Sequence, residues 1–372
     1  MTNISTKRQS WVDFARGIAI ILALYRHVFE GLKNTGIYIG KYIALEHFNI
    51  MFFSFRMPLF FIVSGIFLSA SFSKRGLSRY IEVKARTILY PYFLWGVLQI
   101  SLQVIFSKYT NSDRTVSDYL NLFYQPRKID QFWYLMALFN VSVLYVIIKY
   151  VVKFKTWQQL ALGIVLFFLA SYFHQHNIDL GFLTDIFSFY IFILLGDLIN
   201  KVMRSENNIK LFQSWRVSAS LLIPFLVAQG YFLVTNLNHP EVSGYRYVEY
   251  YQPLLFFLIA VVGCAFIISI CFLLQRFNRP NWLRVLGKHS LYIYVAHVIA
   301  FASVRALMIN IFHITNIPIL FITGIIFGLL IPVLLYRISE KLNIEWVFAL
   351  KERELPKRSE PSATIANASV MN

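Results

Sequence analysis

Charged residues and cysteines are scarce in this chain. Of its 372 residues, 14% are charged and 58% are hydrophobic, whereas soluble domains carry about 25% charged residues. The two cysteines, Cys264 and Cys271, share one apolar run. Seven positions on a helix correspond to about 10 Å, which is too far for a disulfide. We therefore predict a polytopic membrane protein in which both thiols pack in the core.

Motifs of several enzyme classes are also missing. The sequence has no GxSxG elbow, Walker loop or GxGxxG turn, so serine hydrolase, NTPase and dinucleotide-binding functions lack support. His174, His176 and Asp179 have no fixed helical spacing and favour a solvated turn over a zinc site, so no metal is predicted. The net charge of +17 comes from lysines and arginines in short segments between apolar runs. That pattern is typical of membrane topology and predicts no nucleic-acid partner.

The sequence contains ten long apolar runs. A bilayer core about 30 Å thick requires about 20 helical residues, so the runs predict an all-α protein with about ten transmembrane helices. Lysine and arginine concentrate on the side that holds the N-terminus, which predicts two cytoplasmic termini in a bacterial inner membrane. Residues 1–350 form the predicted membrane domain, and the polar residues 351–372 form a predicted disordered tail. The predicted spans are 12–32, 50–72, 87–107, 132–150, 157–174, 182–200, 213–235, 253–274, 289–311 and 317–337.

The first apolar run, WVDFARGIAIILALYRHVFE at residues 11–30, carries a polar stripe. Arg16 and His27 are eleven residues apart, so on a helix they lie within about 20° of one face and about 16 Å apart. Ionisable groups in a membrane usually face a protein interior or a wet cavity. Arg16 alone fits a snorkelling anchor. His27 lies too deep for that explanation, which indicates a functional role.

The second run and the basic segment after it suggest a binding region. Arg56 lies where this span enters from the outside, and Ser64-Gly65 allow another chain or a ligand to approach the backbone. Arg79, Lys84 and Arg86 follow on the predicted cytoplasmic side, opposite Arg16. Each of these cations alone is best explained by topology. Together they favour a pocket for phosphates, which guanidinium groups bind well.

Six segments, in order, resemble one known family. They are DFARGIAIILALYRH, MPLFFIVSG, the basic run into LYPYFLW, FWYLMALF, FILLGDLI and LGKHSLYIYVAHV. They are similar to the acyltransferase-3 family of integral membrane acyltransferases, near its fucose 4-O-acetylase-like branch. The resemblance spans residues 11–300. It implies that the protein takes an acyl group from a cytoplasmic thioester, usually acetyl-CoA, and passes it to a hydroxyl of a glycan or lipid-linked sugar.

The residues themselves fit that chemistry. A sugar hydroxyl needs a general base, and imidazole titrates near pH 6.5, so His27 is the predicted base. Glu30, its i,i+3 neighbour, either orients the imidazole or meets water at the interface. Arg16 completes the predicted catalytic set and also begins the predicted CoA site. The residues assigned to CoA binding are Arg16, Arg79, Lys84, Arg86 and Ser64, with the thioester reaching His27 along the polar stripe.

Arg56, Trp133 and His297 are the predicted acceptor-binding residues. Arg56 and Ser64 are also candidates for stabilising the oxyanion. Trp133 either stacks on a sugar ring or anchors the interface, and His297 either lines the acceptor site or is a buried histidine bonded to a backbone carbonyl. The outer loops 108–131 and 236–252 either face a sugar or anchor the interface. A covalent acyl-histidine and direct transfer are equally compatible with the sequence.

Two other functions remain as alternatives. In a glycolipid or polysaccharide transporter or flippase, the polar stripe would line a translocation path and no thioester would be needed. A polysaccharide polymerase would require a much larger outer loop than either loop here. The predicted partners are the lipid bilayer and a glycan or lipid-linked sugar, and the sequence indicates no oligomeric state.

Overall fold

The computed structural model describes residues 9–107 and 113–350. The predicted disordered tail, 351–372, lies outside the described residues. Within these ranges the regular structure consists of helices, without strands, so the predicted all-α class is confirmed. In chain order the α-helices are α1 (Ser10–Lys33), α2 (Ile43–Ile66), α3 (Leu68–Arg75), α4 (Leu77–Lys84), α5 (Tyr90–Ile105), α6 (Asn121–Tyr124), α7 (Trp133–Val146), α8 (Thr156–Gln175), α9 (Phe182–Arg204), α10 (Glu206–Phe212), α11 (Trp215–Leu237), α12 (Tyr247–Tyr251), α13 (Pro253–Phe277), α14 (Asn281–Lys288), α15 (Ser290–Asn310) and α16 (Ile317–Lys341).

The structure also contains shorter segments of π-helix and 3₁₀-helix. Ala85–Leu89 is a π-helical turn that overlaps the start of the third predicted span, and Ile147–Val151 is one that overlaps the end of the fourth. The 3₁₀ segments that lie wholly within the described residues are Val116–Leu120, Pro126–Lys128, Asp130–Phe132 and Glu345–Val347. The described part of the first predicted outer loop is thus built of short helical turns.

The described residues form nine helical segments that are long and apolar enough to cross a membrane. Helix α1 is not among them because it carries Asp13, Arg16, Arg26 and Glu30. Its 24 residues nevertheless extend about 36 Å, more than the thickness of a bilayer core. With α1, the long helices correspond to the ten predicted apolar runs. The protein is therefore a multi-pass membrane protein.

Helix α1 lies at the centre of the bundle. It packs against α2, α13, α14, α15 and α16. A Cβ atom on Gly324 of α16 would approach the Val28 side chain to 2.9 Å, and one on Gly328 would approach Leu24 to 2.8 Å. These two glycines thus form a packing notch for α1. Because protein surrounds α1, its polar stripe faces other helices, as expected for ionisable groups at this depth.

A second close approach joins α2 to α9. A Cβ atom on Gly65 would collide with the carbonyl oxygen of Ile193, and one on Gly196 would collide with that of Ile62. The two backbones therefore touch where these glycines face each other. The close approach predicted for Ser64-Gly65 is confirmed, and α9 is the partner.

Alanine at Gly196 is expected to destabilise the protein by about 1–3 kcal/mol, the usual cost of overpacking. The atom in the way, the Ile62 carbonyl oxygen, belongs to helical backbone and cannot rotate aside. The measurement is the thermal unfolding midpoint of the purified protein in detergent. Gly230→Ala is the matched control, because a Cβ atom there meets nothing within 4 Å. Equal midpoints for the two variants would contradict the contact between α2 and α9.

Candidate functional site

A cavity of about 280 Å³ opens between α1, α2, α4, α7, α15 and the π-helical turn Ala85–Leu89. Arg16, Ser64 and Lys84 contribute its polar lining, together with the rings of Tyr134 and Tyr294. The cavity thus brings together three residues that sequence reasoning assigned to the acyl donor. It lies toward the Ser10 end of α1.

A π-helical turn shapes one wall of this cavity. Pro91 has no N–H group and therefore cannot bond to the carbonyl of Thr87, one turn earlier. The helix widens at Ala85–Leu89 instead, and the Thr87 hydroxyl donates to the Val83 carbonyl at 2.8 Å. Thr87 and Lys84 both line the cavity. Such turns are frequent at functional sites.

Arg79 and Arg86 do not line the cavity. Both pair with Glu82, with Arg79 Nη1 at 2.7 Å and Arg86 Nε at 3.1 Å from its carboxylate oxygens. These are i,i+3 and i,i+4 neighbours, so the pairing follows from helix geometry. Of the residues predicted to bind the donor, Arg16, Lys84 and Ser64 therefore line the cavity, whereas Arg79 and Arg86 do not. Sequence reasoning overlooked the Glu82 carboxylate, which lies between the two arginines.

His27 faces a second histidine. Its ring centroid lies 5.2 Å from that of His297 on α15. His297 is fully buried, and its Nδ1 lies 2.8 Å from the Tyr294 carbonyl and 3.0 Å from that of Ile293. A nitrogen that faces two carbonyl oxygens carries the proton, so Nε2 keeps a lone pair. This Nε2 has no hydrogen-bond partner among the described residues.

One of the two interpretations of His297 is observed, and its role in lining the acceptor site stays a prediction. The backbone hydrogen bonds considered as an alternative are present, and the same ring lies against His27. Sequence reasoning placed His297 with the acceptor but did not foresee its contact with His27.

Tyr294 lies between the cavity and His297. It lines the cavity, and its ring lies 5.7 Å from His297 and 5.1 Å from Tyr134. Its hydroxyl donates to the carbonyl of Gln131. Sequence reasoning missed both tyrosines, although Tyr294 precedes His297 by three residues and so shares its helix face.

Glu30 does not orient His27 in this structure. Its Oε1 accepts a hydrogen bond from Asn49 Nδ2 at 3.2 Å, and no hydrogen bond joins Glu30 to His27 among the described residues. The i,i+3 spacing made a hydrogen bond between Glu30 and His27 possible. Helix α2 packs against α1 here, however, and the side-chain amide of Asn49 on α2 donates to the Glu30 carboxylate. The neighbour of the imidazole is His297.

One face of Trp133 is already occupied. The Arg127 guanidinium carbon lies 4.7 Å from the Trp133 ring centroid, and Arg127 Nε donates to Asp185 at 2.7 Å. Phe189 lies near the same tryptophan, at 5.6 Å between centroids. Trp133 is therefore packed among side chains, and on the face that Arg127 covers it offers no free surface for a sugar ring.

Arg56 belongs to a group of three arginines, Arg26, Arg56 and Arg246, which we call the arginine cluster. The three guanidinium carbons lie 5.9, 5.9 and 5.3 Å from the ring centroid of Phe53. Burial alone would lower the pKa of Arg246, but Tyr250 and Glu249 outweigh it and raise this pKa above its ordinary value. Arg246 therefore stays charged.

The chain was also compared with known proteins. A family model described as an acyltransferase domain matches residues 9–337. The match includes the cavity, the two histidines and the arginine cluster. No curated protein and no solved structure matches the chain.

Proposed function

The chain belongs to the acyltransferase-3 family of membrane acyltransferases, and we propose that it is an O-acetyltransferase of a bacterial inner membrane. In this proposal it moves an acetyl group from cytoplasmic acetyl-CoA to a hydroxyl of an extracytoplasmic or lipid-linked saccharide. The proposed orientation places both termini and the cavity mouth toward the cytoplasm.

The cavity has the chemistry expected of a donor site. Arg16 and Lys84 supply two cations for phosphate oxygens. Phe60, Leu135 and Leu138 also line the cavity and suit the thin, largely uncharged arm that carries the thioester. The donor therefore fits with its charged end at Arg16 and its acyl end toward Tyr294.

The geometry of α1 and α15 is the observation that carries the proposal. Arg16 shares the cavity with Tyr294, and His27, about 16 Å further along α1, lies against His297. One face of α1 thus connects a basic cavity to a pair of imidazoles, with Tyr294 at the junction. In this proposal the donor arm extends past Tyr294 toward His27.

We assign the proton transfer to His27. In the direct route its imidazole accepts the proton of the acceptor hydroxyl while that oxygen bonds to the thioester carbonyl carbon. The carbon–sulfur bond breaks, and the proton passes to the departing CoA thiolate. The lone pair on His297 Nε2 is available to accept an N–H from His27, which would take the orienting role first expected of Glu30.

Release of CoA by the purified protein tests this function. Acetyl-CoA is supplied with a cell-envelope glycan extract, and free thiol is measured over time. We expect release that requires both the protein and the extract. Samples without protein and without extract are the controls. If the protein transports the glycan and consumes no thioester, the transferase proposal is wrong and the transporter alternative is favoured.

A further inference from the structure

The arginine cluster gathers three positive charges from three separate segments. Arg26 comes from α1, Arg56 from α2 and Arg246 from the loop before α12. All three lie over or beside the same ring, Phe53. Like charges held this close in a partly dry environment repel one another, so the arrangement needs a compensating anion.

Among the described residues, Arg246 is the one member of the cluster that forms an ion pair. Arg246 Nη1 donates to the Tyr250 hydroxyl at 2.5 Å, and its Nε lies 3.7 Å from Glu249. Arg56 is 1% exposed, and among the described residues it makes one long hydrogen bond, 3.5 Å to the Leu22 carbonyl. Arg26 makes no hydrogen bond or ion pair with a described residue. Two guanidinium groups therefore retain donors that the fold does not use.

The surrounding charges leave the region positive. Arg127, which is also within electrostatic range of Arg26, is paired with Asp185. The carboxylates that act on the cluster are Glu30, Glu249 and Asp185. Four arginines thus face three carboxylates, and Glu30 already accepts from Asn49. A planar oxyanion matches both the excess charge and the fork geometry of guanidinium.

We propose that the arginine cluster binds an oxyanion on the acceptor, either the carboxylate of an acidic sugar or the phosphate of a lipid-linked one. This inference rests on the proposed function for the identity of the ligand as acceptor. Arg26 directly precedes His27, and Arg56 contacts α1 one turn earlier, so an anion bound there holds its sugar beside the imidazole. Arg16 and Lys84 lie toward the other end of α1, which separates this site from the donor phosphates.

Binding of small anions to the full chain in non-ionic detergent tests the inference. The probes are glucuronate, inorganic phosphate and glucose, each titrated while the thermal unfolding midpoint is recorded without acyl donor. We expect glucuronate or phosphate to raise the midpoint, and glucose to leave it unchanged. The stronger of the two anions identifies the source. Stabilisation by glucose equal to that by both anions would overturn the inference.

Two variants separate binding from structure. Arg56→Met and Arg26→Gln each remove a charge, and we expect at least about tenfold weaker anion binding, since a hydrogen bond to a charged group is lost. Without the anion their midpoints should equal or exceed that of the wild type, because repulsion is relieved. A purely structural role would lower the midpoint instead. Retained anion binding in both variants would overturn the inference.

Arg305→Gln is the matched control. This arginine is also partly buried, with its guanidinium carbon 5.8 Å from the Phe301 ring centroid, and it is not part of the cluster. Anion binding should be unchanged. The assay uses no thioester, so it can fail while acyl transfer succeeds. Conversely, if anion binding depends on the arginine cluster but the protein transfers no acyl group, the anion site is supported and the proposed function is wrong.

Discussion

Alanine at His27 is expected to lower the rate of acyl transfer by about 10²- to 10⁴-fold, the usual contribution of a general base. His297 is not expected to take its place, because its Nδ1 hydrogen bonds hold that ring against α15, with its centroid 5.2 Å from the position of the His27 ring. The measurement is kcat for CoA release with the glycan extract. Acetyl-CoA binding should persist, since the cavity lining does not include His27.

His47→Ala is the control for this substitution. His47 is a partly buried histidine of α2 that forms no hydrogen bond with a described residue. It should retain wild-type kcat. If His27→Ala also retains wild-type kcat, the assignment of His27 as the general base is wrong, even if the protein catalyses acyl transfer.

Glutamine at Arg16 or at Lys84 is expected to raise the KM for acetyl-CoA by about 10- to 100-fold. Each cation lost removes a charge-assisted hydrogen bond to phosphate, worth about 1.5–3 kcal/mol, and about 1.4 kcal/mol corresponds to a tenfold change. kcat should stay near the wild-type value, because both side chains line the cavity and not the histidine pair. Steady-state kinetics with varied acetyl-CoA provide the measurement.

Arg79→Gln distinguishes the cavity from the basic segment as a whole. Arg79 pairs with Glu82 at 2.7 Å and lies outside the cavity lining. We expect a much smaller rise in KM, below about threefold, because Glu82 already pairs with this charge. A rise as large as that for Arg16→Gln would show that the donor phosphates also contact Arg79, outside the cavity.

The membrane architecture was predictable from local properties of the chain. Length and apolarity placed all ten long helices, and the spacing of Arg16 and His27 placed both side chains on the face of α1 that turns to α15. The GxxxG pair at Gly324 and Gly328 predicted a packing notch, and α1 occupies it. Each of these features depends on residues within a few turns of one helix.

The partners of the polar side chains were not predictable in this way. Glu30 had a possible partner three residues away, yet it binds Asn49, nineteen positions along the chain. The contact between His27 and His297 joins the first helix to the fifteenth. The arginine cluster is formed by residues of three separate segments, and the sequence of each segment does not indicate that the other two lie beside it.

The sequence by itself determined the helices, their faces and the family. The length of an apolar run, the helical repeat and a short motif each depend on residues that are close together in the chain. Only the tertiary structure decided that Lys84 joins Arg16 at the cavity, that His297 rather than Glu30 meets His27, and that three arginines share Phe53. Those choices depend on how helices cross and rotate against one another, which follows from packing of the whole bundle.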